Sequence, residues 1–187
     1  MNSIGFVALS TDPVGAFKTV MVHCLSSGRP GLQYTSPGMA AVAVMKEFNV
    51  KRIALLTPYR PALHNAFAPY LARYGIEVVA DLSLAHSMDL VTDDDIGRAP
   101  VNRMQAELSQ LLEDAQPVDA AFVSCAAFSV KPSDLVEMTG AFGCPVLAGV
   151  HFTAWHVMDL VGEHGLRDKF AFDFGLLRLS QSTILMS

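Results

Sequence analysis

The stretch KRIALLTPYRPALHNAF, residues 51–67, decides the fold. Its opening, KRIALL at 51–56, is a short apolar run with no polar alternation after Arg52. A run of that length and composition reads as a strand buried on both faces. Thr57-Pro58-Tyr59 ends it, because proline has no amide N–H to give to a ladder. A helical pattern follows over 62–74 and stops at Gly75, a residue suited to the left-handed turn that closes a helix. Strand, polar turn and helix together make the first half of a βαβ unit.

Working outward, the same alternation repeats. Residues 76–80 read as a strand, and 101–115 as an amphipathic helix with Met104, Leu108, Leu111 and Leu112 on one face. Between them, 86–100 with Thr92-Asp93-Asp94-Asp95 is polar and reads as a loop or short helix. Residues 120–123 are apolar and end in Ser124-Cys125; a helix over 133–142, a strand at 145–148 and a helix over 152–164 follow. Towards the amino end, Ser36-Pro37 has the cap and first-turn residues of a helix running to Phe48. Further out lie an expected short strand at 32–34, a helix at 15–25 and a strand at 4–9 that ends in Ser10-Thr11-Asp12. The apolar tail, 170–187, is expected to return against the start of the chain. The fold class is α/β, with parallel sheets covered by helices. Ligands of such sheets bind beyond the carboxyl ends of the strands. That rule selects Ser10-Thr11-Asp12, Thr57-Pro58-Tyr59 and Ser124-Cys125.

Composition excludes several classes of function. Of 187 residues, 51% are hydrophobic and 17% charged, far too apolar for a disordered chain. The net charge is −5 and no run of Lys or Arg occurs, so no nucleic-acid partner is expected. No apolar stretch nears the roughly 20 residues of a membrane span. The amino end lacks a signal-peptide pattern, so a cytoplasmic protein is expected. Cys24, Cys125 and Cys144 are odd in number and carry no metal spacing; neither a disulfide framework nor a metal site is expected. GxGxxG, GxxxxGK[ST] and GxSxG are all missing, which removes the usual support for nucleotide binding or serine hydrolysis.

From about Val50 the chain resembles the aspartate/glutamate racemase superfamily, in the branch of maleate cis-trans isomerases and arylmalonate decarboxylases. Four stretches carry the resemblance: VKRIALLTPYRPALHNAF at 50–67, DAAFVSCAAF at 119–128, FGCPVLAG at 142–149 and HFTAWHVMDLVGEHG at 151–165. VALSTDPVGAF at 7–17 resembles, more loosely, the family's first-domain strand end. The resemblance implies two α/β domains about a pseudo-two-fold axis, with the active site between them. Residues 51–165 match one complete Rossmann-like domain. Residues 1–50 match part of the other, with 166–187 expected to complete it.

The resemblance also implies roles. Cys125 would move a proton at a carbon beside a carboxylate, with Ala126 next to it at the substrate. Thr57 and Tyr59 would hold the carboxylate, aided by backbone amides, and Thr11 would add a hydroxyl from the first domain. Ser10 stands where the isomerases and racemases place a first cysteine. Asp12 stands where a small hydroxyl residue is common, and its charge would repel a carboxylate. His64 occupies the place of the family's usual Asn, with Asn65 one position later. His64 is read either as a ligand contact or as a solvated residue at a helix start. Cys24 and Cys144 read as core filling, and His151 and His156, flanking Trp155, as structural.

With Cys125 alone at the strand ends, a two-base racemase lacks its second acid, and an isomerase lacks its nucleophile. The leading expectation is therefore a cofactor-independent decarboxylase of a small malonate-like acid, with Cys125 as proton donor. A maleate isomerase or amino-acid racemase is the alternative, and a non-catalytic acid-binding module stands behind both. A homo-oligomer is expected, since a sheet cut short leaves an apolar edge.

Overall fold

The structure, a computed structural model, describes residues 33, 35–90, 92–115, 117–125 and 127–173. The elements expected at 4–9 and 15–25, with Ser10, Thr11, Asp12, Cys24, Ala126 and the tail beyond 173, lie outside the described residues. Gln33 is the one described residue of the expected strand at 32–34, and it is not in a strand.

Helix α1, Pro37–Glu47, starts where its sequence says. The Ser36 hydroxyl accepts the Met39 amide at 3.3 Å, and Pro37 fills the first turn. Strand β1, Arg52–Thr57, is buried from Ile53 onward. Two short helices follow, α2 at Pro61–His64 and α3 at Phe67–Ala72, where the sequence suggests one helix; the chain turns at Asn65 and Ala66 between them. Gly75 closes the unit at φ 79°. Strand β2, Glu77–Ser83, runs three residues past the expected 76–80. The polar stretch resolves into two short helices, α4 at Leu84–Ser87 and α5 at Asp93–Gly97, the latter capped reciprocally by Thr92 and Asp95. Then come α6 at Val101–Asp114, β3 at Ala120–Val123, α7 at Pro132–Phe142, β4 at Val146–Ala148, α8 at Gly149–Leu160 and α9 at His164–Asp173.

The strands form one parallel sheet of order β2-β1-β3-β4. The crossover to β2 steps one way along the sheet, and those to β3 and β4 step the other way. Right-handed crossovers then put helices on both faces. α6 packs on α7, and α1 packs on α8. Helix α1 lies before residue 51, yet Ala40, Ala41, Val44 and Met45 belong to the same core as the sheet. The core centres on Ile53, Leu55, Leu56 and Phe122, with Phe122 stacked on Phe152 of α8 at 5.2 Å between ring centroids. Each such phenylalanine contributes roughly 1.5–3 kcal/mol of burial. The Asp119 carboxylate accepts the amides of Lys51 and Arg52, both at 2.8 Å, tying the entry of β3 to that of β1.

The β1–β2 ladder has one irregularity. Ile53 pairs with Val78, but Ala54 pairs with Ala80, so Val79 is an extra residue in β2. From there on, Leu55 faces Asp81 and Thr57 faces Ser83. Among the described residues no helix is long and apolar enough to cross a membrane.

Candidate active site at the strand ends

The strand order reverses between β1 and β3. The chain leaves β1 towards β2 and leaves β3 towards β4, so the two exits diverge and open a crevice at their carboxyl ends. Thr57-Pro58-Tyr59 leaves β1 there, and Ser124-Cys125 leaves β3. The two exits are adjacent, since the Ser124 amide donates to Leu56 O at 2.9 Å.

Paired residues of a parallel ladder point to the same face. Ser83, Thr57 and, one step beyond the last β1–β3 pair, Ser124 therefore form a row of hydroxyls across three strands. Thr57 is 0% exposed, and its hydroxyl is engaged inside the protein. Its Oγ1 accepts the Tyr59 amide at 3.3 Å and lies 2.9 Å from His64 Nδ1. The other ring nitrogen of His64 is 2.5 Å from Asp81 Oδ2. Ser83 Oγ donates to the Tyr59 carbonyl and accepts the Ala85 amide. Tyr59 itself is buried, its ring stacked on Phe67 at 5.7 Å. His64 is neither solvated nor open at a helix start. It is buried, with both nitrogens bonded, and its neighbour Asn65 is exposed.

Cys125 is buried at 7% exposure, and its sulfur accepts the Ala127 amide at 3.3 Å. Gly149, first residue of α8, sits beside it: a Cβ there would stand 3.8 Å from the Cys125 amide nitrogen. Ser124 is fully buried, and its hydroxyl has no partner among the described residues. A buried hydroxyl with no partner among the described residues could be satisfied by a ligand oxygen or a water. The other described cysteine, Cys144, precedes β4; burial pushes its thiol up, against a hydrogen bond from the Ala121 backbone. That environment suits an inert thiol.

His156 Nδ1 lies 2.7 Å from Thr35 Oγ1, while His151 sits 6.3 Å from the Phe170 ring. Burial lowers the pKa of both histidines, with Asp159 partly offsetting it at His156. Among the described residues no group of three or more His, Cys, Asp or Glu could hold a metal ion. A depression of about 470 Å³ lies at the opposite, amino end of β2, lined by Ala68, Pro69, Ala72, Ile76 and Val78. Its lining is apolar apart from Glu77, and it holds none of the strand-end groups.

The structure thus brings Thr57, Tyr59, His64 and Cys125 to one edge of the sheet. Ser10, Thr11, Asp12 and Ala126 lie outside the described residues. Sequence reasoning selected Ser124 with Cys125 as a strand end but gave it no role, and it passed over Asp81 and Ser83. For these two the available signal was Asp81-Leu82-Ser83, a polar pair at the i, i+2 spacing that puts both on one face of a strand.

A model of the arylmalonate decarboxylase family matches residues 14–170. The maleate isomerase of Alcaligenes faecalis is 27% identical over 123 residues, 66% of this chain and 46% of that protein. The chain therefore spans about half the length of the curated relative it matches. Among solved structures, the maleate cis-trans isomerase of Nocardia farcinica bound to TRIS superposes with a TM-score of 0.70 at 21% identity, covering 80% of this chain and 58% of that one. An arylmalonate decarboxylase superposes with a TM-score of 0.65 at 20% identity, covering 79% and 62%. These likenesses show a common fold.

Proposed function

We propose that this chain, which belongs to the arylmalonate decarboxylase family, removes one carboxyl group from a small malonate-like dicarboxylic acid and reprotonates the carbon from Cys125. The observation that carries the reading is Cys125 itself. It stands at the carboxyl end of β3, at the crossover reversal, beside the Tyr59 loop of the adjacent strand.

The chemistry needs no redox partner. One carboxylate leaves as CO₂, and the bonding pair stays on the carbon as an enediolate shared with the retained carboxylate. The Tyr59 loop holds that carboxylate where negative charge grows. The Cys125 S–H bond then breaks, its proton forms the new C–H bond, and the thiolate recovers a proton from water. Thr57 shapes the loop from beneath, since its hydroxyl is consumed by Tyr59 and His64. The Ser124 hydroxyl supplies a further donor at the same edge. Ser10 is the reason decarboxylation is placed ahead of isomerisation, because a serine hydroxyl is a far weaker nucleophile than a thiolate. The isomerase reading is second, favoured by the similarity to a maleate isomerase.

The test is turnover of phenylmalonate and of maleate in D₂O, followed by NMR. The expected result is CO₂ release with one deuterium placed at the α-carbon of the product. Cys125→Ser is expected to lose about 10²–10⁴-fold in rate, the usual worth of a general acid, with little change in affinity. Equal rates for wild type and Cys125→Ser would refute the assignment. A wild type inert on both acids would refute the proposed activity.

A further inference from the structure

We infer that His64 and Asp81 are positioning residues for the Tyr59 loop: Asp81 sets the tautomer of His64, and His64 orients the Thr57 hydroxyl that holds the Tyr59 amide. Its chemical meaning, the aiming of loop donors at a carboxylate, rests on the function proposed above. Its geometry does not.

The direction of each bond follows from the donor inventory. A carboxylate only accepts, so the 2.5 Å contact of Asp81 Oδ2 with His64 Nε2 places the ring proton on Nε2. In the neutral ring Nδ1 is then a bare lone pair. It accepts the Thr57 O–H across 2.9 Å. With its proton committed, Thr57 Oγ1 presents lone pairs only, and one of them takes the Tyr59 N–H at 3.3 Å. On the other side of the same residue, Ser83 Oγ donates to the Tyr59 carbonyl. Tyr59 is thus held at both its N–H and its C=O by side chains of β1 and β2, not by a regular ladder.

The arrangement is graded in exposure. Thr57 is sealed, the His64 side chain is 9% exposed, and the Asp81 side chain is 50% exposed. A buried imidazole whose tautomer is free to change would leave the Thr57 proton without a fixed acceptor. Asp81 removes that freedom from the solvent side. A role in packing alone would need the ring's volume and nothing of its nitrogens.

Three variants separate these roles. His64→Asn puts an amide oxygen close to where Nδ1 stood and drops the link to Asp81. His64→Leu fills space with no acceptor. Asp81→Ala changes a half-exposed side chain and leaves the core intact, so it serves even where His64→Leu folds poorly. The first readout is hydrogen exchange of the Tyr59 amide at pH 8, with thermal melting as the fold control. Loss of one net hydrogen bond of about 1 kcal/mol corresponds to roughly fivefold faster exchange. That loss is expected for His64→Leu, while His64→Asn is expected to stay within about threefold of wild type. The second readout is ¹⁵N NMR of the His64 ring, expected to show Nε2–H in wild type and mixed tautomers in Asp81→Ala. The third is the split of kinetic constants on phenylmalonate, where kcat is expected to fall more than KM rises in His64→Leu.

A proton on Nδ1 in the wild type, or equal Tyr59 exchange in wild type and His64→Leu, overturns the inference. Exchange that follows the expected order, beside a wild type inert on phenylmalonate and maleate, refutes the proposed activity and leaves the positioning role standing. Full turnover by a His64→Leu enzyme with lost Tyr59 protection overturns its link to chemistry.

Discussion

Replacing Thr57 by valine removes one oxygen and keeps the shape of the side chain. Nothing is lost to a cavity, so the change isolates the hydroxyl. That hydroxyl makes two bonds, to His64 at 2.9 Å and from the Tyr59 amide at 3.3 Å. Thr57 is sealed and His64 nearly so, hence no water stands ready to replace the lost partner. A buried polar group left unpaired costs about 1–3 kcal/mol, and the longer Tyr59 contact belongs at the low end, so the total is about 2–4 kcal/mol. That is a large part of the roughly 5–15 kcal/mol that holds a domain folded. With a mid-range urea slope of about 2 kcal/mol per molar, the midpoint should fall by about 1–2 M. Thr57→Ser keeps the oxygen and loses one methyl group, about 0.8 kcal/mol of burial. Equilibrium urea unfolding of both variants decides the matter. Should valine prove within about 0.5 kcal/mol of wild type, or serine the more damaging of the two, the hydroxyl network would not be what holds this loop.

Two glycines make a contrasting pair. Gly143, at φ 69° after α7, should lose roughly 1–2 kcal/mol as alanine, because a Cβ strains the left-handed conformation. Gly149→Ala should gain about 0.4–1 kcal/mol, since its Cβ would meet Cys125 N at 3.8 Å and Phe122 at 4.0 Å, ordinary contacts, at the start of a helix; a urea midpoint that rises for Gly143→Ala or falls for Gly149→Ala would contradict the corresponding expectation. Stability should also fall on mild acidification. His151 and His156 have pKa values lowered by burial, so the unfolded chain binds more protons, and stability present above the ordinary value of 6.5 is lost as pH falls below it. Melting temperature should therefore drop from pH 7.5 to 5.5, and His156→Gln should flatten that drop; an unchanged slope would remove His156 from the account.

Much of the sheet was legible because its strands are uniformly apolar and stop at polar or proline residues. KRIALL became β1, AAFV became β3, and the rule of strand ends led directly to Tyr59 and Cys125. The cap at Ser36 was legible too, as a local pattern with a local cause. What could not be read depended on neighbours distant in sequence. The helix expected over 62–74 breaks at Asn65 and Ala66, so that His64 ends α2 and reaches both Thr57 and Asp81. Nothing in the local pattern announces either bond. β2 runs past its expected end at Ala80 because Asp81 and Ser83, polar in sequence, are strand residues on a half-exposed edge. The closeness of α1 to α8 is likewise tertiary, a contact across more than 100 residues that no periodicity encodes.

The extra residue in β2 decides which face of the sheet Asp81 occupies. Were the ladder to run on without the bulge, Val79 would pair with Ala54 and Asp81 with Leu56, which would turn the Asp81 carboxylate to the far side of the sheet, away from His64. The His64–Asp81 pair therefore depends on the extra residue being bulged out of the ladder as well as on the two amino acids themselves. Such an insertion is tolerable here because β2 lies at the end of the strand order and disturbs one ladder, where a central strand would disturb two. Register rather than identity is then the diagnostic: an imidazole after the proline turn and an aspartate in the next strand are joined only when the strand pairing keeps both on one face.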